Sequence, residues 1–205
     1  MPQRLALSLL LCLASLPAWA ASNPDAINDL SADEERRLQK GDVIVHVEET
    51  HEAIKRTLVV GLIDAPPEVT YPIYADFESY PELFQSARSS DILKREGNVL
   101  TCKVVMDFPW PLGTRWVTNH TFLSPESTSF TFKKVEGSVK VYEGALKILP
   151  EGKSRSRVVY SAKVDPDLPL PAWVINMVQA RYFPMAIERV REKLVKTGYK
   201  RPADL

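Results

Sequence analysis

The chain has 205 residues, of which 45% are hydrophobic and 25% are charged. Its 26 basic residues balance 26 acidic ones, so no basic surface is indicated for DNA or RNA, and we expect no nucleic-acid partner. This length favours one domain with a core large enough to fold unaided. We expect that domain over 42–198, after a leader over 21–41 that holds a short helix and before a tail over 199–205.

The first 20 residues have the pattern of a cleavable secretory signal peptide. Arg4 supplies a basic start, residues 5–16 are apolar except for two serines, and Ala18-Trp19-Ala20 places small residues where a signal peptidase reads them. The apolar stretch of about a dozen residues is shorter than the roughly 20 that a membrane span needs. We therefore expect cleavage after Ala20 and a periplasmic or secreted protein. Cys102 is then the one remaining cysteine, so no disulfide within the chain is expected.

The next segments alternate between helical and strand patterns. Ser31 and Glu34 form a capping-box pattern at a helix start, and Gly41 marks the end of that helix. Pro66-Pro67 suits the first turn of a second helix. The predicted elements are a helix over 31–40, strands over 42–49 and 55–63, a helix from 66 onward and a short helix over 78–84.

Six strands and one long helix are predicted in the rest of the chain. Turn-forming residues separate the strands by a few positions, which favours an antiparallel meander. A proline-rich linker over 165–171 leads to a helix over 172–196 whose apolar stripe includes Trp173 and Met177, and Pro184 should kink it. The strands are predicted over 87–96, 99–108, 114–123, 129–135, 140–149 and 157–164.

This order predicts an α+β, helix-grip fold, in which a curved antiparallel β-sheet wraps around a long C-terminal α-helix. Such a sheet has one face to bury. A helix of about 25 residues is roughly 37 Å long, which is enough to lie across that face. The apolar side chains of sheet and helix can then line a cavity between them.

Four segments resemble the START-like superfamily, which includes the START lipid-transfer domains, the coenzyme Q-binding and polyketide cyclase/dehydrase group and the birch-allergen-type proteins. They are Asp64–Val69, Asp76–Leu83, Phe108–Arg115, and the Pro171, Trp173 and Asn176 pattern that opens the last helix. The resemblance covers roughly residues 41–196. It implies the helix-grip fold and a hydrophobic ligand such as a lipid, a sterol or an isoprenoid quinone.

Strand parity predicts which side chains face the cavity, since alternate residues of a strand lie on opposite faces. With Lys103 facing water, Met106 faces inward, and the same argument applies to the strands that follow. For 114–123 two faces stay open: the pattern favours Trp116 inward, and the resemblance favours Arg115. The predicted ligand-binding residues are Met106, Trp110, Arg115, Asn119, Phe130, Phe132, Tyr142, Tyr160, Trp173 and Met177.

The sequence contains no metal-ligand spacing, no glycine-rich phosphate loop and no nucleophile elbow, so we expect no metal, no cofactor and no catalytic residue. We predict a monomeric, exported carrier of a hydrophobic small molecule, with transient membrane contact. Export favours a carrier because lipids must cross water outside the inner membrane. Two alternatives stay open: a cyclase/dehydrase-like enzyme that uses polar groups of the cavity as acid and base, and a cell-envelope interaction module without a ligand.

Overall fold

The computed structural model describes residues 30–48, 51–108 and 113–200. Its elements are α1 (Ala32–Gln39), β1 (Ile44–Val47), β2 (Thr57–Ile63), α2 (Pro67–Ala75), a 3₁₀ helix (Phe77–Ser79), α3 (Tyr80–Leu83), β3 (Ala87–Glu96), β4 (Val99–Phe108), β5 (Gly113–Ser124), a 3₁₀ helix (Pro125–Ser127), β6 (Ser129–Gly137), β7 (Val141–Glu151), β8 (Arg155–Asp165), α4 (Ala172–Tyr182) and α5 (Met185–Lys196). The predicted α+β class and order of elements are confirmed. The predicted signal peptide (1–20), Trp110 and residues 201–205 lie outside the described residues.

All the strands of the described residues form one antiparallel sheet, in the order β1-β2-β8-β7-β6-β5-β4-β3. Successive strands from β3 to β8 pair with each other, which confirms the predicted meander. Tight turns favour this arrangement because they join antiparallel neighbours. β8 then pairs with β2, where Tyr160 lies opposite Val59, and so joins the N-terminal strands to the end of the meander.

The C-terminal helices cover one face of the sheet, called the inner face below. α5 buries Ile187, Val190 and Leu194 against it. Gly61 of β2 allows the close approach, because a methyl group at Gly61 would meet the Ile187 side chain at 2.7 Å. Contacts of less than 3 Å cannot be accommodated in a packed core without displacement, so this glycine fixes how closely α5 lies on the sheet.

α1 covers part of the opposite, outer face, over β2 and β8. Leu38 is fully buried there in a small core with Val60 and Val159. Beside this core, both terminal nitrogens of Arg157 donate to the Glu35 carboxylate, at 2.7 and 3.1 Å. Bidentate pairs of this kind fix orientation as well as distance. The sheet is therefore covered on both faces at β2 and β8.

The long C-terminal helix is interrupted where Pro184 predicted a kink. α4 ends at Tyr182 and α5 begins at Met185, because Pro184 has no N–H to donate to the carbonyl of Ala180.

Among the described residues, no helix combines the length and the apolar character needed to cross a membrane.

The face that α4 turns toward the sheet differs from the predicted stripe. Trp173 and Met177, predicted to face the cavity, are 67% and 56% exposed, so that prediction is wrong. Ile175 and Gln179 are buried instead. Neighbouring helix positions differ by about 100°. The interruption at Pro184 shifts the buried face of α4 by about one residue relative to that of α5. The predicted apolar stripe assumed one unbroken helix, so its positions in α4 lie on the exposed side.

Candidate ligand-binding cavity

A cavity lies between the inner face of the sheet and α4. Its volume is about 130 Å³, roughly ten times the space that one water molecule needs. The strands β4 to β8 form its floor, residues between Tyr74 and Ala87 form one side, and residues between Val164 and Met185 form the roof. Apolar cavities of about this size hold a benzene-sized molecule. A single ring or a short chain therefore fits without movement of the roof.

Six of the predicted ligand-binding residues line this cavity. Strand parity identified five of them, because a charged neighbour marks the opposite face of each strand, whereas Asn119 was predicted only through the resemblance. They are Met106, Asn119, Phe130, Phe132, Tyr142 and Tyr160.

Arg115 does not line the cavity, contrary to its prediction as a ligand-binding residue. Its Nε donates to the Pro166 carbonyl at 3.2 Å, and its Nη1 donates to the Thr114 carbonyl at 2.9 Å. Arg115 is partly buried, and its two partners are backbone oxygens, of which the Pro166 carbonyl belongs to the roof segment. Arg115 therefore ties β5 to the segment that follows β8.

The inner face of β5 is the one that the resemblance favoured. Val117, Asn119 and Thr121 are buried, whereas Trp116 is 36% exposed on the outer face. The ammonium of Lys103 lies 5.2 Å from the centre of the Trp116 ring, a cation–π arrangement that stabilises an aromatic ring at the surface. The alternative with Trp116 turned inward is therefore wrong.

Aromatic rings form a wall along the inner face. The centre of the Phe132 ring lies 4.9 Å from that of Tyr142 and 6.3 Å from that of Tyr160. Phe183, between α4 and α5, meets Tyr160 edge-on at 5.5 Å. Gly144 leaves the room for this wall, because a methyl group there would meet the Phe132 ring at 2.5 Å. Tilted and edge-on contacts of this kind add about 0.5–1.5 kcal/mol per pair, so the rings hold each other in place.

The Tyr142 and Tyr160 hydroxyls lie within this wall, and neither hydrogen-bonds to another described residue. By contrast, the Tyr80 hydroxyl donates to the Tyr74 carbonyl at 3.3 Å. Burial raises the pKa of Tyr142 and of Tyr160, and it raises the pKa of the Cys102 thiol to about 11. All three groups are neutral at pH 7 and can donate a hydrogen bond. No cluster of His, Cys, Asp or Glu in the described part of the chain could hold a metal ion.

Two amide residues, Asn119 and Gln179, are among those that line the cavity, and both are only 4% exposed. Asn119 donates through Nδ2 to Thr121 Oγ1 at 2.8 Å, while its Oδ1 has no partner among the described residues. Gln179 accepts through Oε1 from the Val164 N–H at 3.0 Å, while its Nε2 has no partner there either. Both of these atoms are themselves buried, so neither is open to the space of the cavity. None of the described residues that line the cavity has a charged side chain.

Sequence reasoning missed Gln179 and the aromatic side of the cavity. A signal for Gln179 is present: Ile175, Val178 and Tyr182 share a helix face with it, so one polar residue interrupts an apolar stripe. On the opposite side, Tyr74 and Phe77 contribute rings at a spacing of three. Aromatic residues at helical spacing indicate a buried face, but spacing alone does not tell a cavity wall from a closed core.

The fold and the cavity together define a START-like, helix-grip protein. The family described as polyketide cyclase / dehydrase and lipid transport matches residues 63–191. This match covers most of the chain, and the chain belongs to that family. The family includes both lipid-transport proteins and cyclase/dehydrase enzymes, so membership alone does not decide between binding and catalysis. A comparison with curated proteins finds no match.

Several solved structures share this fold, and one of them is an aromatase/cyclase. Human STARD10 is similar with a TM-score of 0.65 and 20% identity, over 76% of this chain and 70% of that chain. TTHA0849 from Thermus thermophilus is similar with a TM-score of 0.63 and 21% identity, over 69% and 98%. The Zhui aromatase/cyclase from Streptomyces sp. R1128 is similar with a TM-score of 0.61 and 14% identity, over 77% and 98%. At these identities the likeness shows the shared fold.

Proposed function

We propose that this protein is an exported carrier that binds a hydrophobic small molecule in the cavity between sheet and roof. The observation that carries the proposal is the cavity itself, whose described lining consists of apolar and aromatic side chains with a few uncharged polar groups. Small-molecule sites typically combine an apolar lining with a small number of polar groups that fix orientation. A filled core, as an interaction module without a ligand requires, would leave no such space.

Binding would shield the apolar surface of the ligand from water. At about 25 cal/mol per Å², covering roughly 100 Å² contributes about 2.5 kcal/mol. A ligand larger than one ring needs a larger space than the present 130 Å³. We propose that the roof moves to admit it, with the 165–171 segment and the interruption at Pro184 as hinges, because few regular backbone hydrogen bonds hold either place.

The lining favours binding over catalysis. General acid–base catalysis at neutral pH needs a group that changes protonation near that pH. The Tyr142, Tyr160 and Cys102 pKa values are all raised away from that range, and the described lining holds no carboxylate, imidazole or amine. The alternative of a cyclase/dehydrase-like enzyme is supported by the enzyme members of the family and by the two tyrosine hydroxyls, which have no partner among the described residues and could act as proton donors.

Mass spectrometry of the purified protein tests the proposed function. The full chain is expressed and purified without detergent, and the native complex and its organic extract are then measured. We expect one hydrophobic molecule per chain. A protein that carries no ligand and binds none of a set of lipids, sterols and quinones would contradict the proposal.

A pair of neighbouring variants controls this experiment. Val104 lines the cavity, whereas the side chain of Val105 lies on the outer face of the same strand. Val104→Phe should fill the cavity and abolish ligand binding, and Val105→Phe should leave it intact. Equal ligand content in both variants would place the ligand elsewhere on the protein.

We also propose that the protein acts outside the cytoplasm, which rests on the signal-peptide pattern of the first 20 residues. Cell fractionation and intact-mass measurement test this. We expect a periplasmic or secreted protein that begins at Ala21, and an uncleaved precursor when Ala20 is changed to Arg. Full-length protein in the cytoplasm of the wild-type strain would contradict export.

A further inference from the structure

Asn176 joins the roof to the segment between β1 and β2. It belongs to the pattern that opens the last helix, and it is not among the residues that line the cavity. Its Nδ2 donates to the Ala53 carbonyl at 3.1 Å, and its Oδ1 accepts from the Lys55 N–H at 3.0 Å. A side-chain amide can donate and accept at once, so Asn176 bonds through both of its polar atoms to one short stretch of backbone.

That stretch of backbone is itself fixed to the sheet. Glu52 pairs with Lys163 of β8, and Arg56 Nη2 donates to Glu143 Oε1 of β7 at 2.7 Å. β2 follows directly, and it lies inside the sheet between β1 and β8. Asn176 therefore ties α4 to a part of the protein that is held in place.

The bonds of Asn176 act in the middle of the moving part of the roof. α4 lies between the two proposed hinges, which are the 165–171 segment and Pro184. Among the described residues, Asn176 and Gln179 are the α4 side chains that hydrogen-bond to a residue outside the helix. Gln179 bonds to Val164, which lies next to the first hinge. Asn176 instead holds α4 to a segment remote in sequence from both hinges, so α4 cannot swing away from the sheet while its two bonds persist.

We infer that Asn176 is a positioning residue that latches the roof: its two hydrogen bonds hold α4 closed over the cavity and set how often the cavity opens. This inference rests on the proposed function and deepens it by naming what controls ligand exchange. One hydrogen bond changes an equilibrium by roughly fivefold, so the pair accounts for about 25-fold. The latch thus slows opening and does not prevent it.

The Cys102 thiol measures opening without knowledge of the ligand. It lines the cavity and is 1% exposed, so a thiol reagent reaches it when the cavity opens. The full chain is labelled under native conditions, and mass spectrometry of the Cys102 peptide gives the rate. We expect labelling to be about 25-fold faster in Asn176→Leu, which removes both bonds, than in the wild type. Asn176→Asp keeps the acceptor for the Lys55 N–H and should label at an intermediate rate.

Two control variants separate the latch from local packing and from global stability. Met177→Gln changes the next side chain of α4, which is 56% exposed, and should label as slowly as the wild type. Leu38→Ala weakens the small core on the outer face of the sheet. It should lower the free energy of unfolding more than Asn176→Leu does, and yet speed labelling less. If the labelling rate follows the free energy of unfolding across these variants, the reagent reaches Cys102 by unfolding and the inference is overturned.

Exchange of a bound probe gives a second readout. We expect the association and dissociation rates of 1-decanol, an uncharged apolar molecule, to rise by the same factor in Asn176→Leu. Its Kd should change little, because the latch is closed in the free and in the bound protein and so favours neither. A merely structural role of Asn176 would instead raise the Kd.

The outcomes distinguish this inference from the proposed function. Equal labelling rates in the wild type and in Asn176→Leu overturn the latch and leave the hydrophobic-carrier proposal standing. Faster labelling of Asn176→Leu in a protein that binds no lipid, sterol or quinone supports the latch and contradicts the carrier.

Discussion

Cys102 lies on the inner face of β4, where it is 1% exposed and lines the cavity. Burial raises the pKa of its thiol from 9.0 to about 11, which lowers the thiolate fraction at pH 8 about a hundredfold. Because the thiolate is the reactive form, we expect a thiol reagent to label Cys102 at least about 100-fold more slowly in the folded protein than in urea. Mass spectrometry of the Cys102 peptide measures both rates. Equal rates would contradict the inward orientation of β4.

Single residues were predictable from sequence where a charged neighbour identified the outer face of a strand. Lys103 oriented β4 in this way, and Met106 was placed correctly. Trp116 was ambiguous because its partner is the Lys103 side chain of the adjacent strand, a contact that no pattern within one strand contains. Gln179 was missed because a polar residue on a helix normally indicates the solvent face. Its buried position depends on the cavity that the assembled fold creates.

At the scale of elements, α1 is held to the outer face by Leu38. We expect Leu38→Ala to lower the free energy of unfolding by about 2–5 kcal/mol, because it leaves a cavity between α1 and the sheet. Urea denaturation measures the change. Lys40→Ala, at the exposed end of the same helix, is the control and should change stability by less than about 0.5 kcal/mol. An equal effect of both substitutions would mean that the small outer core does not hold α1.

The start of α1 should depend on pH. The predicted capping box is present, with the Ser31 Oγ accepting from the Glu34 N–H at 3.3 Å and the Glu34 carboxylate accepting from the Ser31 N–H at 2.9 Å. The hydrogen bonds from Ser31, and then from His46, lower the pKa of Glu34 from 4.5 to about 2. A carboxylate whose pKa is lowered by folding stabilises the folded protein at any pH above its pKa in the unfolded chain. This stabilisation is lost as the pH falls through the pKa of the folded protein.

We therefore expect the capping of α1 by Glu34 to weaken as the pH falls from about 4.5 to 2. The NMR chemical shift of the Ser31 amide follows this change directly. Glu34→Gln should abolish the transition, whereas Glu68→Gln, in the first turn of α2, should leave it unchanged. A Ser31 amide that titrates alike in the wild type and in Glu34→Gln would show that another group is responsible.

Element boundaries and types followed from local patterns, but the orientation of α4 did not. The absence of a proline N–H explains why Pro184 was a reliable sign of an interruption. The rotation of α4 relative to α5 depends on how Phe183 and Tyr182 pack at the junction, where both line the cavity. A stripe of apolar residues at helical spacing assumes one continuous helix. It therefore does not predict the buried face of α4 from that of α5 when the helix is interrupted between them.

For the whole molecule, ligand binding should increase the free energy of unfolding. A ligand that binds only the folded chain adds about 2.7 kcal/mol to the free energy of unfolding at 100 times its Kd. We expect 1-decanol to raise the midpoint of urea unfolding of the wild-type protein and to have little effect on Val104→Phe. A shift of the same size in the filled variant would place the binding site outside the cavity.

The region that matches the family begins at residue 63, yet the folded unit begins earlier. β1 and β2 belong to the same sheet, and α1 packs on it. The segment predicted as a leader over 21–41 thus contributes a helix to the body of the protein. The capping box in the sequence predicted this helix. It did not predict that α1 packs on the sheet, because the residues around Leu38 do not indicate which surface Leu38 contacts.

Helices pack on both faces of the sheet at β2 and β8, and this should slow the opening of the backbone hydrogen bonds in these two strands. Backbone N–H groups exchange with solvent deuterium only when the structure around them opens. β2 and β8 lie in the middle of a stack formed by α1 and α5, whereas β3 is an edge strand with a largely exposed outer end. We expect the amides of β2 and β8 to exchange last and those of β3 first. Opening of the cavity would then begin at the β3 edge and leave the centre of the sheet intact.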